Sequence, residues 1–398
     1  MKIPIFVKNQ NTFFLHMNSL IVLISFYVIT DISLFRYLAN FYSLALFLIS
    51  FLSVLKSNRN ITRDVTFFIS IASIFLLILN ALLITDLRFL PEVIKVSSIF
   101  VFFLLGRSLP TTTIKNTVSK MRVLLFISIP ILLYIAQIII SADGLTTSIF
   151  VNKNNAGAFT VMSIYALYIY NANNGIVYII TLFVLLAYNA SGALISFIFS
   201  LIYCNLKLNV VYLFSFLLIV VLLSFTIFTN PLNIAAIERL NHHFYVFYTL
   251  YTTEIIFNID LYSYAEYFLL FSSSDLSLVF RLKHWSEIYS LFLNGNIINI
   301  LFGHGFNHSI NSTSIGLVPH NDYIRFFYEF GLILGFKFII FNIFIVRSLN
   351  KPILKLPAVF LFIYFFSENL INNYILMSFS YFIFGLLYFN REEKNARS

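Results

Sequence analysis

Val318 to Phe336 reads VPHNDYIRFFYEFGLILGF, with His320, Asn321, Asp322, Arg325 and Glu329 at the mouth of an apolar run. Only 10% of the chain is charged, so this grouping carries information. His320 follows Pro319 where the run begins. An imidazole changes charge near neutral pH and can act as a general base. With a helix starting near Asn321, Asp322 and Arg325 stand three apart and Arg325 and Glu329 four apart, on one stripe. At ~1.5 Å per residue, Glu329 lies about 10 Å deeper than Asp322. An ionisable group at that depth faces the protein interior or a wet cavity. Arg325 then either locks the helix through Glu329 or meets a substrate.

Two neighbouring stretches add to this. In RLKHWSEIYSLFLNG, Arg281, Trp285, Ile288 and Phe292 recur on one helical face. The arginine either snorkels from an amphipathic helix or aims its guanidinium at a phosphate, which it can hold by paired hydrogen bonds. In NILFGHGFNHS, Gly303 and Gly305 break the helical pattern and let backbone come close to something. A nucleotide loop is excluded, because the third glycine and the flanking strand and helix are missing. His304, His308 and His320 lie near one another in sequence, yet no Cys or HExxH accompanies them, so neither a metal nor another cofactor is expected. Arg239, within ERLNHH, supplies a second upstream arginine. FVNKNNAGAF (150–159) and YNASGALISF (188–197) are polar leads into apolar runs, fit to line a cavity or to serve as loops.

These groups need elements to hold them, and composition says which. Hydrophobic residues make up 60% of the 398, and the mean hydropathy is +0.91. Soluble domains are about half apolar and about a quarter charged. An all-α, polytopic membrane protein is expected, a single integral membrane domain over 1–398. A span needs roughly 20 apolar residues. Candidates fall near 13–30, 37–55, 65–84, 90–106, 121–140, 156–171, 174–189, 191–206, 208–228, 323–346, 353–369 and 372–390, about twelve in all. Lys2 and Lys8 precede an apolar run without a small-residue cleavage site, which reads as an uncleaved first span. Lys and Arg cluster in alternate connections: Lys56, Arg59 and Arg63; Arg107, Lys115, Lys120 and Arg122; Lys207; Arg347, Lys351 and Lys355; Arg391, Lys394 and Arg397. The positive-inside rule then puts both termini in the cytoplasm. The net charge of +9 is thereby a topology signal, and no nucleic-acid partner is expected.

Residues 229–322 form one long outward connection, expected to contain short helices. Its Tyr- and Phe-rich part, YVFYTLYTTEIIFNIDLYSYAEYFLLF, suits helices lying at the headgroup level. Cys204 is the sole cysteine, so no intrachain disulfide can form.

Taken in order, NKNNAGAF, SGALISF, FRLKHWSEIYSLFLNGNIINILFGHGF and PHNDYIRFFYEFGLILG resemble the O-antigen polymerase and ligase superfamily of bacterial inner-membrane glycosyltransferases. The last two resemble its R-x-x-x-W, G-x-G and HN-x-x-x…E-x-G series, and the whole covers about 150 to 190 residues. The resemblance implies an undecaprenyl-pyrophosphate-linked oligosaccharide as donor, membrane lipid around the enzyme and a chain-length regulator protein as partner. It implies that Arg281 binds pyrophosphate and that His320 serves catalysis. Arg239, Asn321, Arg325, Trp285, Gly303 and Gly305 are the candidate substrate-binding residues beside them. Ligases of the family often carry an Arg where the SGALISF span begins. Here Ala190-Ser191-Gly192-Ala193 stands there, which favours a polymerase over a ligase. A flippase is the rival of another class. It would place charges along many spans and would not need the long outer connection.

Overall fold

The computed structural model describes residues 10–30, 32–55, 65–84, 90–108, 128–129, 132–133, 149–150, 152–168, 174–188, 190–205, 231–271, 276–349 and 351–395. The described part is helical and contains no strand. The expected intervals 121–140 and 208–228 fall almost wholly outside the described residues, as do most of the basic residues that set the expected orientation.

The first half supplies α1 (Gln10–Thr30), α2 (Ser33–Leu55), α3 (Val65–Leu83), α4 (Leu90–Ser108), α5 (Lys153–Tyr168), α6 (Asn174–Ala187) and α7 (Ser191–Asn205). The long connection supplies α8 (Pro231–Thr252), a kinked 3-10 segment over Ile255–Leu261, α9 (Tyr264–Phe271), α10 (Ser277–Leu293), α11 (Ile297–Phe302) and α12 (His308–Ser312). The chain closes with α13 (Asp322–Ser348), α14 (Pro352–Tyr364) and α15 (Tyr374–Asn395). Residues 13–30 of α1 and the whole of α2, α3 and α13 are long and apolar enough to cross a membrane. Shorter apolar helices run over Gly192–Cys204, Pro352–Tyr364 and Tyr374–Tyr388. The protein is thus helical and membrane-embedded. Some hydroxyls inside its apolar helices are satisfied locally: Ser70, Thr160, Thr181 and Ser200 each donate to the carbonyl four residues back.

The centre is a close pair, α4 and α15. Ile99 to Leu105 are buried side by side, as are Ile375 to Met377 and Tyr381 to Phe384. Two glycines let these backbones touch. A Cβ at Gly106 would lie 2.2 Å from the Phe382 carbonyl oxygen, and one at Gly385 would lie 2.1 Å from that of Phe103. Without a hydrophobic drive between helices in lipid, such close approach is what holds them together. Around this pair α1 to α3 keep an apolar outer face, with Leu15, Phe41, Phe68 and Leu83 exposed.

Side-chain contacts fix which helix ends lie together. At one end, Arg107 of α4 donates to Thr66 of α3 (2.5 Å) and lies over the Tyr388 ring of α15 (4.5 Å). At the other end, Asn80 of α3 meets the Phe302 carbonyl (2.7 Å), and the connector between α14 and α15 meets the starts of α5, α7 and α13. The long connection packs at this second end. It has a small core of its own, in which Val246, Leu250, Ile259, Tyr267, Phe271, Leu276 and Val279 are buried together. Its Phe244, Tyr245, Tyr248, Tyr251, Phe257 and Phe268 stay exposed.

Candidate functional site

Two carboxylate clusters sit at the end capped by the long connection. The first is closed. Asn321 caps α13, its side-chain oxygen accepting from the backbone N–H groups of Tyr323 and Ile324 at 3.1 Å each. One turn on, Arg325 donates through Nε to Glu329 Oε2 at 2.9 Å. Its Nη1 donates to Asn369 (3.0 Å) and Asn372 (2.7 Å), its Nη2 to Asn307 (3.0 Å), and the guanidinium lies over the Phe306 ring. Ser309 donates to the other Glu329 oxygen at 2.6 Å. Arg325 is 1% exposed and Glu329 is fully buried. The Arg325–Glu329 pair that the spacing suggested therefore forms as a structural lock, and Arg325 has no surface to offer a substrate.

Asp322 departs from the expected stripe. Its hydrogen bonds do not go to Arg325. Its Oδ2 accepts from the N–H groups of Leu370 (2.7 Å) and Ile371 (3.2 Å), while its own N–H donates to the Phe365 carbonyl (2.8 Å). It thereby shapes the connector 365–373. The expected span over 353–369 runs too far: the helix ends at Tyr364, and a turn follows.

The glycine turn answers to α13 as well. Gly331 has φ +79°, outside the helical range, and breaks α13 there. The break frees carbonyls one turn earlier. His304 N–H donates to the Tyr328 oxygen and Gly305 N–H to the Glu329 oxygen, both at 3.0 Å. A Cβ at Gly303 (φ +91°) would lie 2.2 Å from the Glu329 carbonyl oxygen, and one at Gly331 would lie 2.3 Å from that of Leu301. The chain that Gly303 and Gly305 bring close is the protein's own backbone. His304 stacks on the Tyr328 ring (4.4 Å between centroids), and burial pushes its imidazole below the usual histidine range. His308 Nδ1 lies 2.9 Å from the Tyr328 hydroxyl. Among the described residues no group of three or more His, Cys, Asp or Glu side chains is placed to hold a metal ion.

The second cluster is open, and it centres on Glu368 in the connector. Arg281 Nη2 of α10 lies 3.7 Å from Oε1, and His320 Nδ1 lies 3.7 Å from Oε2. Asn154 donates to Oε1, and Asn152 donates to Oε2 at 3.4 Å. Glu368 is 2% exposed, whereas the Arg281 and His320 side chains are 34% and 42% exposed. The Tyr364 hydroxyl lies within electrostatic reach of both Glu368 and Arg281. At the start of α7, Gly192 packs on Ser367 and the Tyr364 ring. So the polar lead of α5, the arginine of α10 and the histidine before α13 converge on one carboxylate, and the start of α7 packs on the residue before it. A buried anion is thereby offered to two half-exposed cation-forming groups.

Trp285, one turn from Arg281, is half-buried, with its indole nitrogen buried and without a hydrogen-bond partner. Beside it His284 is buried, and burial, with His320 adding to it against Glu287, pushes its imidazole down to about 4. Lys283 and Ser286 tie α10 to Asp260, at 2.9 and 2.8 Å. Arg239 lies in the first half of α8, where backbone alone is described. Sequence reasoning missed Glu368. Its signal was available: it is the sole acidic residue between Glu329 and Glu392, and it sits in the polar run SENLINN. Compared with protein-family models and with curated proteins, the chain matches none.

Proposed function

We propose that this chain is a bacterial inner-membrane glycosyltransferase. It polymerises undecaprenyl-pyrophosphate-linked oligosaccharide repeat units into O-antigen or capsular polysaccharide at the periplasmic face. The observation that supports this reading is the convergence of Arg281, His320, Asn152 and Asn154 on Glu368, beneath the long connection. In this reading about twelve spans carry the chain, residues 229–322 face the periplasm and both termini are cytoplasmic. Exposed Tyr and Phe of α8 and α9 rest at the lipid headgroups, near where the donor's pyrophosphate enters.

The chemistry follows from the groups present. An acceptor sugar hydroxyl attacks the anomeric carbon of the donor. The bond from that carbon to the pyrophosphate oxygen breaks, and its electron pair leaves on undecaprenyl pyrophosphate. The exposed Arg281 guanidinium meets the charge that develops on the leaving group. His320 takes the hydroxyl proton. Arginine, not a metal, supplies the positive charge in this scheme.

The test is deletion of the gene, followed by gel analysis of surface polysaccharide and of carrier lipid. The polymerase reading expects single repeat units on the lipid A–core. Bare core with polymer still on the carrier would mark a ligase instead. Bare core without periplasmic polymer would mark a flippase.

A further inference from the structure

His320 presents its ring unequally. Its Nδ1 is buried and lacks a hydrogen-bond partner, while the side chain as a whole is 42% exposed. The acidic group facing that nitrogen is Glu368, at 3.7 Å. From geometry, and resting on the glycosyltransferase reading above, we propose that Glu368 is the positioning residue for His320, holding the ring by Nδ1 so that Nε2 takes the acceptor proton.

Three observations carry the assignment. Glu368 is held by neutral amides, Asn152 and Asn154, which orient a carboxylate without cancelling its charge. Its two oxygens face different partners, Oε1 towards Arg281 and Oε2 towards His320. The pair also shares one frame. His320 stands two residues before Asp322, and Asp322 fixes the connector that presents Glu368. The 3.7 Å separation exceeds a hydrogen bond, but such contacts are commonly long without substrate and shorten when it binds. Once the proton has moved, the imidazolium lies against a carboxylate that is already oriented. The negative charge costs no rearrangement at that moment. Arg281 and His284 are the other ionisable side chains of α10 near this pair.

The experiment uses the full-length protein in nanodiscs, with lipid-linked oligosaccharide extracted from the deletion strain as substrate. Glu368→Gln is expected to lower kcat on the order of 10²-fold while KM stays within about twofold. Glu368→Asp restores only part of the lost rate, leaving kcat roughly 3- to 10-fold below wild type, because the charge returns on a shorter arm. The His320→Ala/Glu368→Gln double variant is no slower than His320→Ala, because both residues act through one proton transfer. A substrate-free readout accompanies these: carbethoxylation of His320 by diethyl pyrocarbonate at pH 8, followed by mass spectrometry. Glu368→Gln is expected to slow it several-fold. Unchanged carbethoxylation overturns the pairing, as does a double variant whose losses multiply. Loss of kcat and KM together, with Asp no better than Gln, overturns it in favour of a scaffold role. Carbethoxylation slowed by Glu368→Gln, when the wild-type protein makes no polymer, leaves the pairing standing and sinks the polymerase reading. Should Glu368→Gln fail to fold, Glu368→Asp carries the test, and an unchanged kcat there overturns the proposal.

Discussion

The two carboxylates at this end of the bundle are built alike and used differently. Glu329 meets its arginine at 2.9 Å, with both side chains at or below 1% exposure. Glu368 meets its arginine at 3.7 Å, and that arginine is 34% exposed. Around Glu329 the remaining valences go to protein groups: Ser309, Asn307, Asn369 and Asn372. Around Glu368 the amides orient the carboxylate, and Arg281 and His320 stay within reach of solvent. A saturated pair stabilises a fold but cannot change partners. A loose one costs stability and keeps binding capacity. The first cluster also serves the second, because Arg325 and Asp322 brace the connector on which Glu368 stands.

The strongest way to break this comparison is to remove one partner from each pair. Breaking a buried pair leaves an uncompensated charge, at a cost of about 3–5 kcal/mol. Arg325→Ala is expected to unfold the protein or to lower its thermal midpoint sharply in detergent. Arg325→Lys gives little rescue, since one ammonium cannot replace a fork holding Glu329 and three asparagines. Arg281→Ala is expected to change the midpoint little. Equal losses from Arg325→Ala and Arg281→Ala would end the distinction between closed and open.

Glycines give the next largest effect. At Gly303 an added methyl meets the Glu329 carbonyl carbon at 2.5 Å as well as its oxygen, and φ is positive. Gly303→Ala is expected to cost about 3 kcal/mol, through strain and the lost contact with α13. Gly316 also has positive φ (+64°), but the nearest atom lies 3.9 Å away. Gly316→Ala is expected to cost only the backbone term, about 1 kcal/mol. Chemical unfolding of both variants compares them, and a Gly303→Ala protein of wild-type stability would sink the close-approach account.

For the open cluster the readout is activity. Arg281→Ala is expected to reduce polymer formation about 10²-fold in a folded protein. Arg281→Lys should keep roughly a tenth, since charge persists without the planar fork. His320→Ala should fall at least as far as Arg281→Ala. If neither alanine variant shortens surface polysaccharide, Glu368 gathers these residues for some other purpose.

Much of this was legible in advance because it is local. Hydropathy marks α1, α2, α3 and α13 to within four residues at each end, and Asn321 announces the start of α13. The Arg325–Glu329 pair was legible because four residues on a helix make neighbours. What was not legible is what the tertiary fold brings together. Spacing puts Asp322 on the stripe of Arg325 and Glu329, but its partners lie 48 and 49 residues away. Gly303 and Gly305 signalled a close approach without saying to what. Glu368 was absorbed into an apolar run because hydropathy averages over one carboxylate.

The smallest expected effect tests whether the open side is also the weaker side against acid. His284 stands in α10 beside Arg281 and Trp285, and burial holds its imidazole down to about 4. The unfolded chain binds that proton near the ordinary value of 6.5. Between those values the unfolded state carries more protons, so stability is intact above 6.5 and falls as pH drops towards 4. At pH 5.5 the loss is about 1 kcal/mol relative to pH 7.5. Replacing the ring by His284→Phe removes the titration and keeps an apolar body of similar size. Thermal unfolding of wild type and variant at both pH values isolates the term, because other histidines contribute equally to each. The variant should lose less stability on acidification than wild type does. Hydrogen exchange should place the wild-type loosening in α10, with α13 around Arg325 and Glu329 still protected. Loosening that begins at the closed pair would reverse the order of strength inferred for the two clusters.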